Sequence, residues 1–247
     1  MRYKIDLHTH TIASGHAYST LDENMRAAES KGMEVVAYTE HGPKMMGGPH
    51  QYFFNNLKVV PDRIHGVRLL KGVECNIMDI AGNVDCEDKA LRNLDIIGAG
   101  LHRVEGGFHP TSCEENTLAV INTMRQKKVD FIAHIGNPVY EVNFVEIVKA
   151  AVKFKVAIEV NNSSFHTSRP GSTANCECIV RLAKEYGAYI SLGSDAHYCD
   201  DIGGLEQAEK LVKKYDIAED KIINSSQEVL FDFLNSNGNI IRKNRVR

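Results

Sequence analysis

Seven of the 11 histidines fall in short clusters that also carry carboxylates, and the clusters are spread along most of the chain. In order they read Asp6-Leu7-His8-Thr9-His10, His16, Thr39-Glu40-His41-Gly42, Glu74, His102, His134 and Ser194-Asp195-Ala196-His197. Imidazole nitrogens and carboxylate oxygens are the donors that borderline and hard divalent metals accept. Such a set supports hydrolysis by metal-activated water. His8, His10, His16, His41, Glu74, His102, His134, Asp195 and His197 are therefore candidate metal ligands.

Taken singly, each piece has a plainer reading. A lone histidine such as His102 or His134 is more often a satisfied core or rim residue, and Glu74 after an apolar run could simply pair with a lysine. Alternation along an extended chain would turn Asp6, His8 and His10 to one side. That side would be a barrel interior, where three ionisable groups are costly without a cation or hydrogen bonds. Asp6 is expected to support a ligand histidine rather than to bind metal itself. Asp195 and His197 repeat the same-side spacing, and Gly193 before them permits close backbone approach. The joint pattern decides, because six of the seven expected strands end in such a group. The sixth strand is read as carrying no metal-type group. It runs Glu159-Val160-Asn161-Asn162-Ser163-Ser164-Phe165, followed by Arg169. Amides, hydroxyls and a guanidinium suit phosphate oxygens, so Arg169, Asn162 and Ser163 are candidate substrate contacts, and Arg103 is a second cation able to face the same anion. His166 is a weaker substrate candidate; His50, His65 and His109 are read as turn and loop residues.

These side chains must be brought together by the elements between them. Apolar runs at 4–8, 34–39, 68–75, 94–100, 130–134, 156–161 and 188–194 read as parallel strands covered on both sides. Helical patterns fill 21–31, 115–127, 143–154, 174–186, 205–215 and 227–234. Thr20 and Glu23 have the spacing of a capping box, and Ser225 and Ser226 are cap candidates for the last helix. Residues 42–61 are the longest irregular stretch and suggest a loop with a short helix beside the pocket. This alternation predicts an α/β fold, a distorted seven-stranded (β/α) TIM-like barrel forming a single domain over residues 1–247. An open doubly wound sheet is the alternative, but ligand candidates after so many strands converge only if the strands form a ring.

Composition is compatible with this. The 247 residues are 43% hydrophobic, with 29 basic and 32 acidic side chains and a net charge of −3. That balance lacks the basic stripe of a nucleic-acid partner. No apolar run approaches the length of a membrane span. The six cysteines form no Cys-x-x-Cys pair and are too sparse for a disulfide scaffold, so they read as the reduced thiols of a cytoplasmic protein.

The motifs DLHTHT followed by HAYSTL, TEHGP, GVECNI, HIGNP, EVNNSSF and LGSDAH resemble those of the PHP (polymerase and histidinol phosphatase) family, and within it the trinuclear zinc phosphatases of the YcdX type. The resemblance covers nearly the whole chain. It implies three divalent metal ions, with zinc first and manganese or iron open. His8, His10, Glu74 and Asp195 would bind one ion. Glu74 would bridge to a second held by His102 and His134, and His16, His41 and His197 would hold the third. Glu40 stands where the family usually has Asp, and Ile135 where Pro is common; neither is a ligand position.

On that resemblance the expected activity is hydrolysis of small phosphomonoesters, with Asp195, Glu74 and His102 positioning the nucleophilic hydroxide. The expected partner is a small phosphorylated metabolite, with no membrane or stable nucleic-acid partner; a homo-oligomer is left open. Three rivals share parts of the pattern. A phosphodiesterase or 3′–5′ exonuclease would use the same metals, but the basic groove is missing. An amidohydrolase-like C–N hydrolase often uses a modified lysine bridge, whereas the bridge candidate here is Glu74. A non-catalytic metal-stabilised module would leave the phosphate-binding groups without a purpose.

Overall fold

The computed structural model describes residues 2–104, 106–109, 111–166 and 168–241. All seven expected strands are there: β1 (Ile5–Thr9), β2 (Val35–Tyr38), β4 (Val67–Asn76), β5 (Ile96–Gly100), β6 (Phe131–Ile132), β7 (Ala157–Asn161) and β8 (Ile190–Gly193). They pair in parallel in that order. An additional two-residue strand, β3 (Arg63–Ile64), lies antiparallel to the start of β4. His65 and Gly66 both have positive φ, 48° and 79°, as a tight hairpin turn requires.

The helices are α1 (Leu21–Ser30), α2 (Gln51–Asn56), α3 (Asp88–Leu91), α4 (Cys113–Arg125), α5 (Phe144–Phe154), α6 (Ser172–Tyr186), α7 (Glu206–Lys214) and α8 (Gln227–Ser236). Six match the sequence reading. The expected capping box starts α1, with Thr20 and Glu23 bonded reciprocally, and Ser226 caps α8. The 42–61 stretch contains α2 as its short helix. The four-residue α3 was not expected, being too short to show a period. None of the helices described is long and apolar enough to cross a membrane.

The ring closes between β8 and β1 in two different ways. At the carboxyl ends the backbones pair directly: Asp195 N donates to His8 O at 2.8 Å, and His10 N donates to Ala196 O at 2.9 Å. At the amino ends a side chain bridges the gap. Asn224, fully buried, donates to Ile5 O and Leu192 O and accepts from Leu192 N. Asn224 is thus a polar wedge at this end of the seam, on a segment that also pairs with β8 through Ile223 N and Ile190 O at 2.9 Å.

Two apolar layers follow from strand alternation. Ile5, Leu7, Val35, Leu70, Ile96, Phe131 and Ala157 fill the inside, closed below by Leu230, Phe233 and Leu234 of α8. Val36, Leu69, Ile97, Ile132 and Ile158 face outward towards the surrounding helices. Continuing the inner face upward, β4 presents Leu70, Gly72, Glu74 and Asn76 in turn. On β7 the same face runs Ala157, Glu159, Asn161. Apolar side chains thus fill the bottom of the ring and polar ones line its carboxyl end, where barrel enzymes place their sites.

Candidate metal centre

The structure brings all nine candidate ligands to the carboxyl end of the ring. Glu74, with no exposed surface, sits at the middle. Its Oε2 lies 3.4 Å from His8 Nε2, 3.7 Å from His10 Nε2 and 2.7 Å from His41 Nδ1. Its Oε1 lies 2.7 Å from His134 Nε2 and 3.3 Å from His102 Nε2. One carboxylate therefore faces two separate histidine groups with its two oxygens. Asp195 Oδ1 faces His10 Nε2 at 3.2 Å and His8 Nε2 at 3.6 Å. The remaining rings form the outer rim. His16 stacks on His41 and tilts against His197, each at a centroid distance of 4.9 Å, and His10 lies 4.5 Å from His197.

The far nitrogens of four of these rings have hydrogen-bond partners. His8 Nδ1 is 2.7 Å from Glu159 Oε1, His102 Nδ1 is 2.8 Å from Asn76 Oδ1, and His197 Nδ1 is 2.9 Å from the Asp195 carbonyl. His10 Nδ1 is 3.2 Å from Ser14 Oγ, and the Ser14 hydroxyl itself donates to Glu40. A ring that donates through Nδ1 presents Nε2 as a bare lone pair. His8 Nε2 and His10 Nε2 nevertheless face each other at 3.0 Å. Two lone pairs do not sit so close without a proton or a cation between them. His41 Nδ1 and Glu74 Oε2 likewise are buried, and although 2.7 Å apart they form no hydrogen bond with each other or with another group. Three groups, His8/His10/Glu74, His41/Glu74/His102 and His10/His41/His197, each place their donor atoms within 4.8 Å of one another. These donors fit divalent cations.

Electrostatics points the same way. Burial raises the Glu74 and Asp195 carboxyls, but attraction to the surrounding imidazoles, His8 first, outweighs it at Glu74, and attraction to Arg169 and His8 outweighs it at Asp195. Both are held well below the usual carboxylate range. Burial lowers His41 to about 4 and drives His10 well below the ordinary histidine value. His134 is also lowered by burial, aided by Arg169. His8 is the exception: the carboxylates of Glu159, Glu74 and Asp195 outweigh its burial and raise it.

Backbone geometry shows the cost of assembling this cluster. His134 and Asp195 both have positive φ, 30° and 58°, a region that non-glycine residues adopt rarely and mostly at functional sites. A Cβ on Gly193 would lie 2.4 Å from both Glu159 Oε1 and His8 Cβ. Glycine there is what lets β8 approach β1, as the sequence suggested.

Two sequence expectations are corrected. Asp6 does not share the face of His8 and His10. The β1–β2 register shifts between Asp6 and Thr9, so alternation breaks, and Asp6 lies beside the outward-facing Val36. Its carboxylate accepts from Ser194 N at 2.9 Å and Gly203 N at 2.8 Å, tying backbone segments rather than orienting an imidazole. The sixth strand does carry a carboxylate at the centre: Glu159 holds His8 through one oxygen and accepts from His134 N at 2.8 Å through the other. Asn76 and Ser14 were also missed. Same-face spacing, 74 with 76 and 159 with 161, was the available signal for Asn76 and Glu159. Nothing comparable marked Ser14.

The four candidate substrate contacts are placed differently from one another. Arg169 donates to Asp195 Oδ2 at 2.9 Å and to Asn161 Oδ1 at 3.3 Å, at the edge of the cluster. The Asn162 oxygen accepts from Gln207 N and Ala208 N at the start of α7. Ser163 Oγ pairs with Ser168 Oγ at 2.9 Å. Asn162, Ser163 and His166 line a pocket of about 670 Å³ beside Asp195. Arg103 is exposed in the wall of a different pocket.

Known proteins share both the sequence and the shape. The PHP domain profile matches residues 6–217. The chain is 45% identical over 240 residues to a protein of Clostridium novyi named Probable phosphatase, covering 97% of this chain and 98% of that one. It is 47% identical over 235 residues to a Probable phosphatase of Thermoanaerobacter sp., covering 95% of each. Among solved structures, histidinol phosphate phosphatase from Lactococcus lactis, complexed with zinc, L-histidinol and phosphate, superposes with a TM-score of 0.62 at 17% identity. That match covers 88% of this chain and 95% of the other, and supports the barrel fold. With its profile running through every ligand-bearing strand and relatives aligned end to end, the chain belongs to the PHP-domain family.

Proposed function

We propose that the protein is a metal-dependent phosphomonoesterase acting on small phosphorylated metabolites, with three divalent ions at the carboxyl end of its barrel. One observation carries the reading: Glu74 turns its two oxygens to two histidine groups while Asp195 closes one of them. On this reading His8, His10, Glu74 and Asp195 hold one ion. Glu74, His102 and His134 hold a second, and His16, His41 and His197 a third. Zinc is the first candidate, supported by the zinc bound in the Lactococcus lactis neighbour; manganese and iron suit the same donors. The names of the full-length relatives support phosphate ester hydrolysis.

Divalent ions bound here would acidify water towards neutral pKa and neutralise phosphoryl oxygens. The chain's own groups prepare the site for this. Glu159, Ser14 and Asn76 fix imidazole orientation, so that little reorganisation is left for the reaction. Arg169, anchored on Asp195 and Asn161, has further N–H groups for non-bridging phosphate oxygens. On this reading Asp195, Glu74 and His102 would position the attacking water; its oxygen bonds to phosphorus as the P–O bond to the alcohol breaks opposite it, and the departing alkoxide takes a proton from solvent.

The test is hydrolysis of a panel of phosphomonoesters and phosphodiesters by purified protein, before and after chelation and on readdition of metal. The expected result is monoester turnover that chelation abolishes and metal restores, with diesters slower. Full activity in chelated protein, or a preference for an oligonucleotide diester, would overturn the proposal.

A further inference from the structure

A second pocket, of about 950 Å³, adjoins the cluster on the side of β2 and β5. Its walls continue directly from two of the candidate ligands. Pro43, Lys44, Met45 and Met46 follow His41, and Arg103 and Val104 follow His102; the rings of His41 and His102 are 5.3 Å apart. His109 completes the polar lining. Among its described lining residues there is no carboxylate, and neither Lys44 Nζ nor the Arg103 guanidinium makes an ion pair or hydrogen bond with a described residue. The pocket on the other side of the ring is predominantly acidic, lined by Asp195, Asp200, Asp201 and Glu206 with Lys31.

The two cations are tied to the cluster through one carboxylate. Asp85 accepts from Lys44 N at 2.8 Å, from Asn76 N at 2.8 Å and from Asn76 Nδ2 at 2.6 Å. Asn76 in turn holds His102, the residue before Arg103, at 2.8 Å. The close approach of Asp85 depends on Gly42, where a Cβ would fall 2.3 Å from the carboxylate. The backbone carrying Lys44 and the backbone carrying Arg103 are therefore held in register with the ligand histidines.

We infer that this pocket receives the leaving-group half of the substrate, and that this half carries a second anionic group, phosphate or carboxylate, on a short apolar spacer. Lys44 and Arg103 bind the second anion; Met45, Met46 and Val104 cover the spacer. The inference rests on the phosphomonoesterase reading for its orientation, with the reacting phosphoryl group at the histidine cluster. An ammonium-bearing leaving group is disfavoured in this pocket for the same electrostatic reason.

Non-hydrolysable phosphonates separate binding from turnover. Calorimetry on the metal-loaded protein would compare alkyl diphosphonates of increasing chain length with the matching alkylphosphonates. Two exposed cations meeting one added anion predict a preference of about tenfold for the best diphosphonate. In the double variant Lys44→Gln/Arg103→Gln that preference collapses towards one; both side chains are exposed, so the fold is expected to persist, with matched thermal melting as the check. Equal affinities in the wild type, or a preference intact in the double variant, would overturn the inference. If simple alkyl phosphates are still hydrolysed in that case, the phosphomonoesterase reading stands alone. A charge preference without any hydrolysis would keep the anion pocket and sink the phosphatase.

Discussion

Replacing Glu159 by glutamine removes an acceptor that the site uses in three directions. The carboxylate accepts from His8 Nδ1 at 2.7 Å, His134 N at 2.8 Å and Asn161 Nδ2 at 3.2 Å. Glutamine has one acceptor oxygen and one NH2. If the oxygen stays with the His134 amide, the NH2 faces His8 Nδ1. The two donors are reconciled only if His8 moves its proton to Nε2, the nitrogen that faces Glu74, Asp195 and His10. Loss of a charge-assisted hydrogen bond costs about 1.5–3 kcal/mol. Removing a group that orients a metal-binding imidazole lowers metal affinity roughly 10–100-fold, or about 1.4–2.7 kcal/mol. Competition against a chromophoric chelator measures this for wild type and Glu159→Gln, with urea unfolding in excess chelator reporting the metal-free fold separately. A zinc affinity within about twofold of wild type would refute the reasoning, because it would mean that the tautomer of His8 does not matter.

Asn224→Leu leaves Leu192 N, Leu192 O and Ile5 O without partners at the barrel seam; a loss of at least about 3 kcal/mol is expected in urea unfolding, and a change below about 1 kcal/mol would count against the wedge. Gly193→Ala pushes a methyl group into His8 and Glu159, so both stability, by about 1–3 kcal/mol, and zinc affinity should fall together. Thr20→Ala removes one half of the α1 capping box; stability should drop by about 1 kcal/mol in thermal unfolding, with zinc affinity unaltered. Each zinc bound, at about a hundred times its own dissociation constant, should stabilise the folded chain by about 2.7 kcal/mol, seen as a rise in melting temperature that chelation reverses.

Most of the barrel was legible because its strands are near-continuous runs of Val, Ile, Leu and Ala separated by amphipathic helices, and because the ligands stand at the ends of those runs. The motif-carrying residues also declared themselves by type: histidine is rare enough that seven grouped with carboxylates, most of them at strand ends, is a pattern. What escaped depended on geometry that local spacing does not encode. Asp6 was misassigned because period-two counting assumes an unbroken ladder, and one register shift in β1 reverses the faces. Alternation from Ala157 places Glu159 inside the ring, but the polar run after it, Asn161 to Ser164, carries the stronger signal of a binding loop. Asn224 lies far along the chain from both strands it joins, so no window of sequence contains the interaction. The hairpin strand β3 is two residues long, shorter than any period.

Anomalous X-ray diffraction at the zinc edge, from crystals of protein purified without chelator, would test the central claim most directly. The account predicts anomalous peaks between His8, His10, Glu74 and Asp195, between Glu74, His102 and His134, and between His16, His41 and His197. Scattering absent from all three positions, also at the manganese and iron edges, would contradict it.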